Sequence, residues 1–375
     1  MVNKISFKNY KSFKERQELE LKPITVLIGK NSSGKSAISR LLTLLSGSLS
    51  GEFDPPLKWE NKGVRLGLSN SDLVYNRNTA ANLLEFEIAA EEEELKIVVN
   101  IDSKDKPEIL EWKLNDKEVS SKETLFKGFA IDHVPFKNLQ LRYDYIGPIR
   151  KVPEANYANS FETFTTIGVD GANSYPILIQ DWSDKKLLIN QVSDWYRQNF
   201  EGWLVDIFSI LAPQPTFQIV LSNKKISQVN IVNVGQGMTQ ALPLIVRSFM
   251  QDKENVRIII EEPETHLHPA AHGNLAERFV DSFLSDCNKS YLIETHSQNF
   301  VLRLRRLVAD KKLDIKDLAI YYVDFDEEIN ESSIKRINLT PDGGVEWWPD
   351  GMFSETLTET RAIRDAQLKG LQDVD

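Results

Sequence analysis

The eight residues Gly29-Lys30-Asn31-Ser32-Ser33-Gly34-Lys35-Ser36 have the types and spacing to cradle a chain of phosphates. Glycines let the backbone turn until successive N–H groups point inward at phosphate oxygens, and a helix opening there adds its partial positive charge. Lys35 is placed to meet the β- and γ-phosphates as a point charge, and the Ser36 hydroxyl to ligate Mg²⁺. The loop follows the apolar run Ile24 to Ile28 and opens a segment with Ile38, Leu41, Leu42 and Leu45 at helical spacing. Those flanks set it apart from a structural Gly/Ser loop.

A second group of chemical residues ends the run Ile258-Ile259-Ile260-Glu261-Glu262-Pro263-Glu264-Thr265-His266-Leu267-His268-Pro269. A buried strand ending in two carboxylates is where a nucleoside triphosphatase holds its metal and its attacking water. Neighbouring residues on a strand face opposite sides. Glu261 is therefore expected in the Mg²⁺ shell and Glu262 on the water as general base. A third apolar strand ends in Glu294-Thr295-His296-Ser297, where His296 is placed to hydrogen-bond the γ-phosphate from the side. His268 and His272 have a spacing that can clamp zinc, but no cysteine lies in the cluster and no dedicated zinc site is expected.

Positioning these groups takes a sheet. From 240 onward helices and strands alternate: helix 240–251, strand 256–260, helix 270–285, strand 290–294, helix 298–309, strand 318–323. This rhythm predicts a parallel sheet between helices. Residues 52–145 read as β-rich, with Glu91–Glu94 as a hairpin turn. Residues 185–211 read as one helix, followed by strands at 217–221 and 228–232. The tail predicts a hairpin around Asp342-Gly343-Gly344 and then an amphipathic segment.

Composition sets the outer bounds. The chain of 375 residues is 41% hydrophobic and 27% charged, enough to bury a sizeable core, which excludes disorder as its main state. No run of about 18 apolar residues occurs, so no membrane span is expected. The N-terminus carries no apolar h-region, and the single cysteine, Cys287, permits no internal disulfide; both fit a cytoplasmic protein. A formal net charge of −10 argues against wholesale coating of nucleic acid. The basic strip Arg303, Arg305, Arg306, Lys311 and Lys312 reads as a solvated helix face.

Phe7-Lys8-Asn9-Tyr10-Lys11-Ser12-Phe13, the phosphate loop, the EEPETHLHP strand end and the ETHS tip together resemble the ABC-type ATPase heads of the SMC/RecF/OLD group. Within it the chain looks most like single-head bacterial ATPases of phage-defence systems. The resemblance implies a P-loop α/β fold, mostly parallel, with helices on both faces, an antiparallel β subdomain and a helical insertion. The expected domains are a head over 1–325, with the β-rich part at 52–145 and the insertion at 150–230, and a small module over 326–375. It implies ATP and Mg²⁺ as ligands and a homodimer or higher oligomer formed head-to-tail around two ATP molecules. Each ATP would meet the partner's signature loop, here Gly235, Gly237, Thr239 and Gln240, with Gly235 standing where the family has serine. His266 and His268 fall on the dimer-contacting D-loop, and Asn31 sits near the γ-phosphate in this group. The implied function is an ATP-hydrolysing switch controlling a separately encoded effector in antiviral defence; a RecF-like DNA-repair ATPase that binds duplex DNA is the alternative.

Overall fold

In the computed structural model of the chain, residues 1–120, 124–131, 136–158, 162–210 and 216–372 are described. The strands of four residues or more are β1 (Lys4–Lys8), β2 (Gln17–Glu20), β3 (Ile24–Ile28), β4 (Leu84–Ala90), β5 (Glu93–Ile101), β6 (Pro107–Leu114) and β7 (Tyr143–Ile146). They continue as β8 (Leu204–Ile210), β9 (Thr216–Ser222), β10 (Val256–Glu261), β11 (Lys289–Glu294), β12 (Leu318–Asp326) and β13 (Glu331–Ile337). The helices are α1 (Lys35–Ser50), α2 (Ser174–Ser183), α3 (Leu187–Asn199), α4 (Gln236–Phe249), α5 (Pro269–Ser285), α6 (Gln298–Ala309) and α7 (Glu355–Gln372).

The central sheet has the order β7-β10-β11-β3-β12-β13, parallel except for β13, which runs back along β12. Its inner strands are apolar nearly throughout because both faces are covered. Alternation splits them between two cores. Val26, Ile28, Ile258, Ile260, Ile293 and Ile320 point to the side of α2 to α6. Leu27, Ile259, Leu292, Ala319 and Val323 point to α1 and the antiparallel sheet beyond it. That second sheet has the order β2-β1-β4-β5-β6, closed by a short strand at Lys117–Glu118. The first two strands of the chain therefore pair with the β-rich segment and leave β3 alone to enter the parallel sheet. Glu91, at φ 54°, turns the hairpin between β4 and β5.

The expected helix over 185–211 is a correction. The helical part ends at Asn199, and Leu204–Ile210 is strand β8, paired antiparallel with β9. Glu201 and Gly202 adopt φ of 45° and 83°, which no helix accommodates. Beyond them Val205 and Ile207 are buried while Leu204, Asp206 and Phe208 are exposed, the two-residue period of a strand. Residue 211 lies outside the described residues. The second expected strand, 228–232, is reduced to Val229–Asn230 followed by a short 3₁₀ turn.

The tail is fastened to the sheet. The Trp347 indole donates to the Arg336 carbonyl at 3.1 Å and meets the Tyr322 ring edge-on at 6.2 Å. Gly343, at φ 77°, lies against α6, where Arg305 Nε donates to its carbonyl at 2.9 Å. Truncation before Ser332 would strip β13 from β12 and uncover the surface under Trp347, Trp348 and Phe353. The expected result is aggregated protein on expression; a soluble, monodisperse 1–331 fragment with unchanged melting would show that the tail is a separate module.

Candidate functional site

The phosphate loop owes its shape to backbone that only glycine tolerates at two points. A Cβ on Gly29 would lie 2.2 Å from the Val323 carbonyl oxygen. Gly34, at φ 107°, presses on the Phe13 ring, which a Cβ would meet at 2.9 Å. Phe13 and Tyr10 form the platform under this turn, and the Tyr10 hydroxyl donates to the Ala37 carbonyl at 2.9 Å. That gives the N-terminal motif a physical role. Gly34 caps α1 without a side-chain acceptor, so the first amides of the helix are open to a ligand. Asn31 and Ser32 are exposed at the loop's tip, and Ser33 is buried beneath it.

Lys35 is almost fully buried. Its Nζ donates to the carbonyls of Gly29 and Lys30 at 3.2 and 2.7 Å and lies 4.0 Å from Glu294 Oε1. Burial holds its pKa below the usual lysine value, against the pull of Glu294, Glu262 and Glu264. The ammonium rests on loop carbonyls in a place from which a triphosphate can draw it.

An open cleft of about 310 Å³ is lined by Asn31, Ser32, Gly34, Lys35, Ser36, Glu262, Glu294 and His296. Three segments far apart in sequence thus meet at the C-terminal ends of parallel strands, where open α/β sheets bind ligands. Glu262 leaves β10 with φ 46°, and its amide donates to the Glu294 carbonyl at 2.8 Å. Its carboxylate accepts from Thr265 at 3.1 Å and stands 3.9 Å from His296 Nε2. Burial, then Lys35, lowers the pKa of His296, so the ring is neutral at neutral pH. The His296 amide and the Thr295 hydroxyl donate to Glu264 at 2.6 and 2.8 Å. Glu264, which lies in the EEPETHLHP motif without an expected role there, thereby ties the tips of β10 and β11 together.

Glu261, expected in the Mg²⁺ shell, has its carboxylate engaged within the protein. Its carboxylate accepts from Arg40 Nε and Nη2 at 2.8 and 2.6 Å and from Ser39 at 2.9 Å. The Ser36 hydroxyl donates instead to Glu294, at 2.9 Å. The two adjacent glutamates do diverge, but Glu261 turns toward the first turns of α1. Truncating Arg40 to Ala would leave Glu261, itself fully buried, without its cation. Such a loss costs about 3 kcal/mol, so Arg40→Ala should lower the denaturant midpoint clearly; an unchanged midpoint would show that the pair carries no structural load.

Mg²⁺ takes hydroxyl and carboxylate oxygens, and this cleft supplies them from Ser36, Glu262 and Glu294. Glu262, Glu294 and His296 each offer one ligand atom within 4.8 Å of the others. Glu294 Oε2 is buried without a hydrogen-bond partner. Burial, with Glu261 beside it, pushes the Glu294 carboxyl up to about 7. The donor set and the orphaned oxygen fit a hard divalent cation.

The remaining expected residues are gathered at the start of α4 and on the loop before α5. Gly235 precedes α4 and is exposed, with open space where a Cβ would be. Gly237 is needed for close approach, since a Cβ there would lie 2.8 Å from the His266 carbonyl. The Thr239 hydroxyl donates to the Gln236 carbonyl at 2.9 Å and is turned into its own helix, leaving backbone amides as the free donors. Gln240 is buried and donates to the Arg150 carbonyl at 3.3 Å. Arg150 in turn donates from Nη2 to the carbonyls of Glu261 and Glu262 at 3.2 and 2.9 Å. His266 and His268 are exposed on the loop before α5, which His268 caps through Nδ1. Both ring nitrogens of His272 are engaged, by Ser297 and the Leu267 carbonyl, which leaves none for a shared metal with His268.

A phosphate loop, paired acidic strand ends and a histidine tip on one parallel sheet define an ABC-type ATPase head of the SMC/RecF/OLD kind. The chain belongs to the family described as "AAA domain, putative AbiEii toxin, Type IV TA system", which it matches over residues 24–303. Among solved structures it is similar to an SMC head bound to the C-winged helix domain of ScpA, with a TM-score of 0.53 and 14% identity, covering 90% of this chain and 98% of that one. It is also similar to an SMC head with an extended coiled coil, bound to the C-terminal domain of ScpA, derived from Pyrococcus furiosus. There the TM-score is 0.52 and the identity 12%, over 97% of this chain and 99% of that one. No curated protein matches by sequence. No helix among the described residues is long and apolar enough to cross a membrane.

Proposed function

We propose that this chain binds and hydrolyses ATP with Mg²⁺, dimerises head-to-tail on the nucleotide, and works in the cytoplasm as a switch on a separately encoded effector in antiviral defence. The observation that carries the ATPase reading is the convergence of Lys35, Ser36, Glu262 and His296 on one cleft. The opened amides of α1 and Lys35 hold the phosphates. Glu262 takes the proton from the attacking water, and His296, neutral beside it, hydrogen-bonds the γ-phosphate. Mg²⁺, when bound beside Ser36, supplies charge neutralisation of the phosphate chain.

The dimer reading rests on the exposed start of α4, whose amides are free to meet a neighbour's nucleotide. The family's description, which names a Type IV TA system, supports a second component. The duplex-DNA alternative gains nothing from the basic strip. Arg303 and Lys312 share Glu277, Arg306 pairs with Asp310, and Arg305 holds the Gly343 carbonyl. The test is a pull-down of the neighbouring gene product by the tagged chain, with and without ATP. Capture that requires ATP is expected; capture indifferent to ATP would refute the switch, and salt-sensitive, ATP-strengthened binding of duplex DNA would favour the alternative.

A further inference from the structure

The central sheet interposes a carboxylate between the strand of the acidic pair and the phosphate loop. Strand β11 lies between β10 and β3, with Glu294 in register with Glu261 on one side and Leu27 on the other. Glu294 is therefore one strand nearer the loop than Glu261. The hydrogen bonds follow this order. Glu294 Oε1 accepts from Ser36 at 2.9 Å, whereas Glu261 is saturated by Arg40 and Ser39.

The second oxygen of Glu294 has a different status from every oxygen of Glu261. Glu294 is 3% exposed, lines the cleft, and its Oε2 has no hydrogen-bond partner. A buried carboxylate oxygen left unpaired is costly unless a cation or donor completes it. The nearest cation is Lys35, at 4.0 Å from Oε1. Phosphates entering the loop compete for that ammonium, and Glu294 then needs a replacement positive charge that arrives with the nucleotide.

We infer that Glu294, and not Glu261, is the carboxylate that faces the nucleotide-bound Mg²⁺ alongside Ser36, and that Glu261 with Arg40 is a strut fixing α1 to β10. The inference rests on the ATPase reading and assigns the metal side of that same cleft. Glu262 stays free for the water, and the three acidic residues at the strand ends divide into a strut, a metal-side group and a base.

The test uses the full chain with a non-hydrolysable ATP analogue and Mn²⁺ as a paramagnetic probe, followed by electron paramagnetic resonance titration. Glu294→Gln should weaken Mn²⁺ in the ternary complex by roughly 10–100-fold while leaving metal-free nucleotide affinity within about threefold. Glu294→Asp, which keeps the charge but shortens the reach, should weaken Mn²⁺ by a smaller factor and guards against misfolding of the amide variant. Glu261→Gln should leave Mn²⁺ affinity within about threefold and lower the melting temperature instead. Unchanged Mn²⁺ affinity in both Glu294 variants, or a larger loss in Glu261→Gln, overturns the assignment. A wild-type chain that binds no nucleotide overturns the ATPase reading, and with it this one.

Discussion

Glu262→Gln is expected to bind ATP and stop hydrolysing it. Phosphate release should fall by about 10²–10⁴-fold, the usual contribution of a positioned base. The residues proposed to hold the nucleotide, Lys35 and Ser36 with the loop amides, are untouched, and glutamine keeps the acceptor that Thr265 uses at 3.1 Å. The amide also removes one negative charge from the cleft wall that faces the γ-phosphate. If the proposed sandwich forms, the ATP-bound dimer should therefore persist on size-exclusion chromatography, where the wild type should return to monomer as ATP is consumed. Hydrolysis at the wild-type rate would show that another group takes the proton. Loss of turnover without any ATP-induced dimer would refute the head-to-tail sandwich.

Lys35→Ala has the second large effect, on binding. The lysine is the cation of the cleft, and three carboxylates, Glu294, Glu262 and Glu264, act on it. Alanine would leave a triphosphate facing those carboxylates without its counter-charge. A charge-assisted hydrogen bond contributes about 1.5–3 kcal/mol, and the unscreened repulsion adds to its loss. ATP affinity should drop by at least about a hundredfold in a fluorescent-nucleotide titration. Unchanged affinity would sink the phosphate-loop assignment.

What could be read in the sequence was whatever is local. The phosphate loop carries its own flanks, and the apolar runs ending at Ile28, Glu261 and Glu294 are near-continuous because their strands are covered on both faces. What could not be read were contacts through space. Alternation correctly separated Glu261 from Glu262, yet nothing in the order of residues announces that Arg40, one helical turn after Ser36, reaches Glu261. Nor does it announce that Ser36 turns to Glu294, 258 positions away. The helix wrongly extended to 211 had a local warning in Gly202, which the aromatic spacing around Trp195 and Tyr196 outweighed. Beyond that glycine, Leu-Val-Asp-Ile-Phe-Ser-Ile alternates at the period of a strand.

Arg150 has a consequence for timing. It grips the carbonyls of Glu261 and Glu262 with its guanidinium while its own carbonyl accepts from Gln240 of α4. On the proposed head-to-tail reading, the strand tip facing a subunit's own nucleotide and the helix start it would lend to its neighbour share one joint. In such a two-fold pair the joint would make the two clocks interdependent, because displacement at one γ-phosphate would shift the surface clasping the other. Phosphate release from a pre-loaded pair should then follow two unequal exponentials, and loosening the joint with Gln240→Ala should merge them into one.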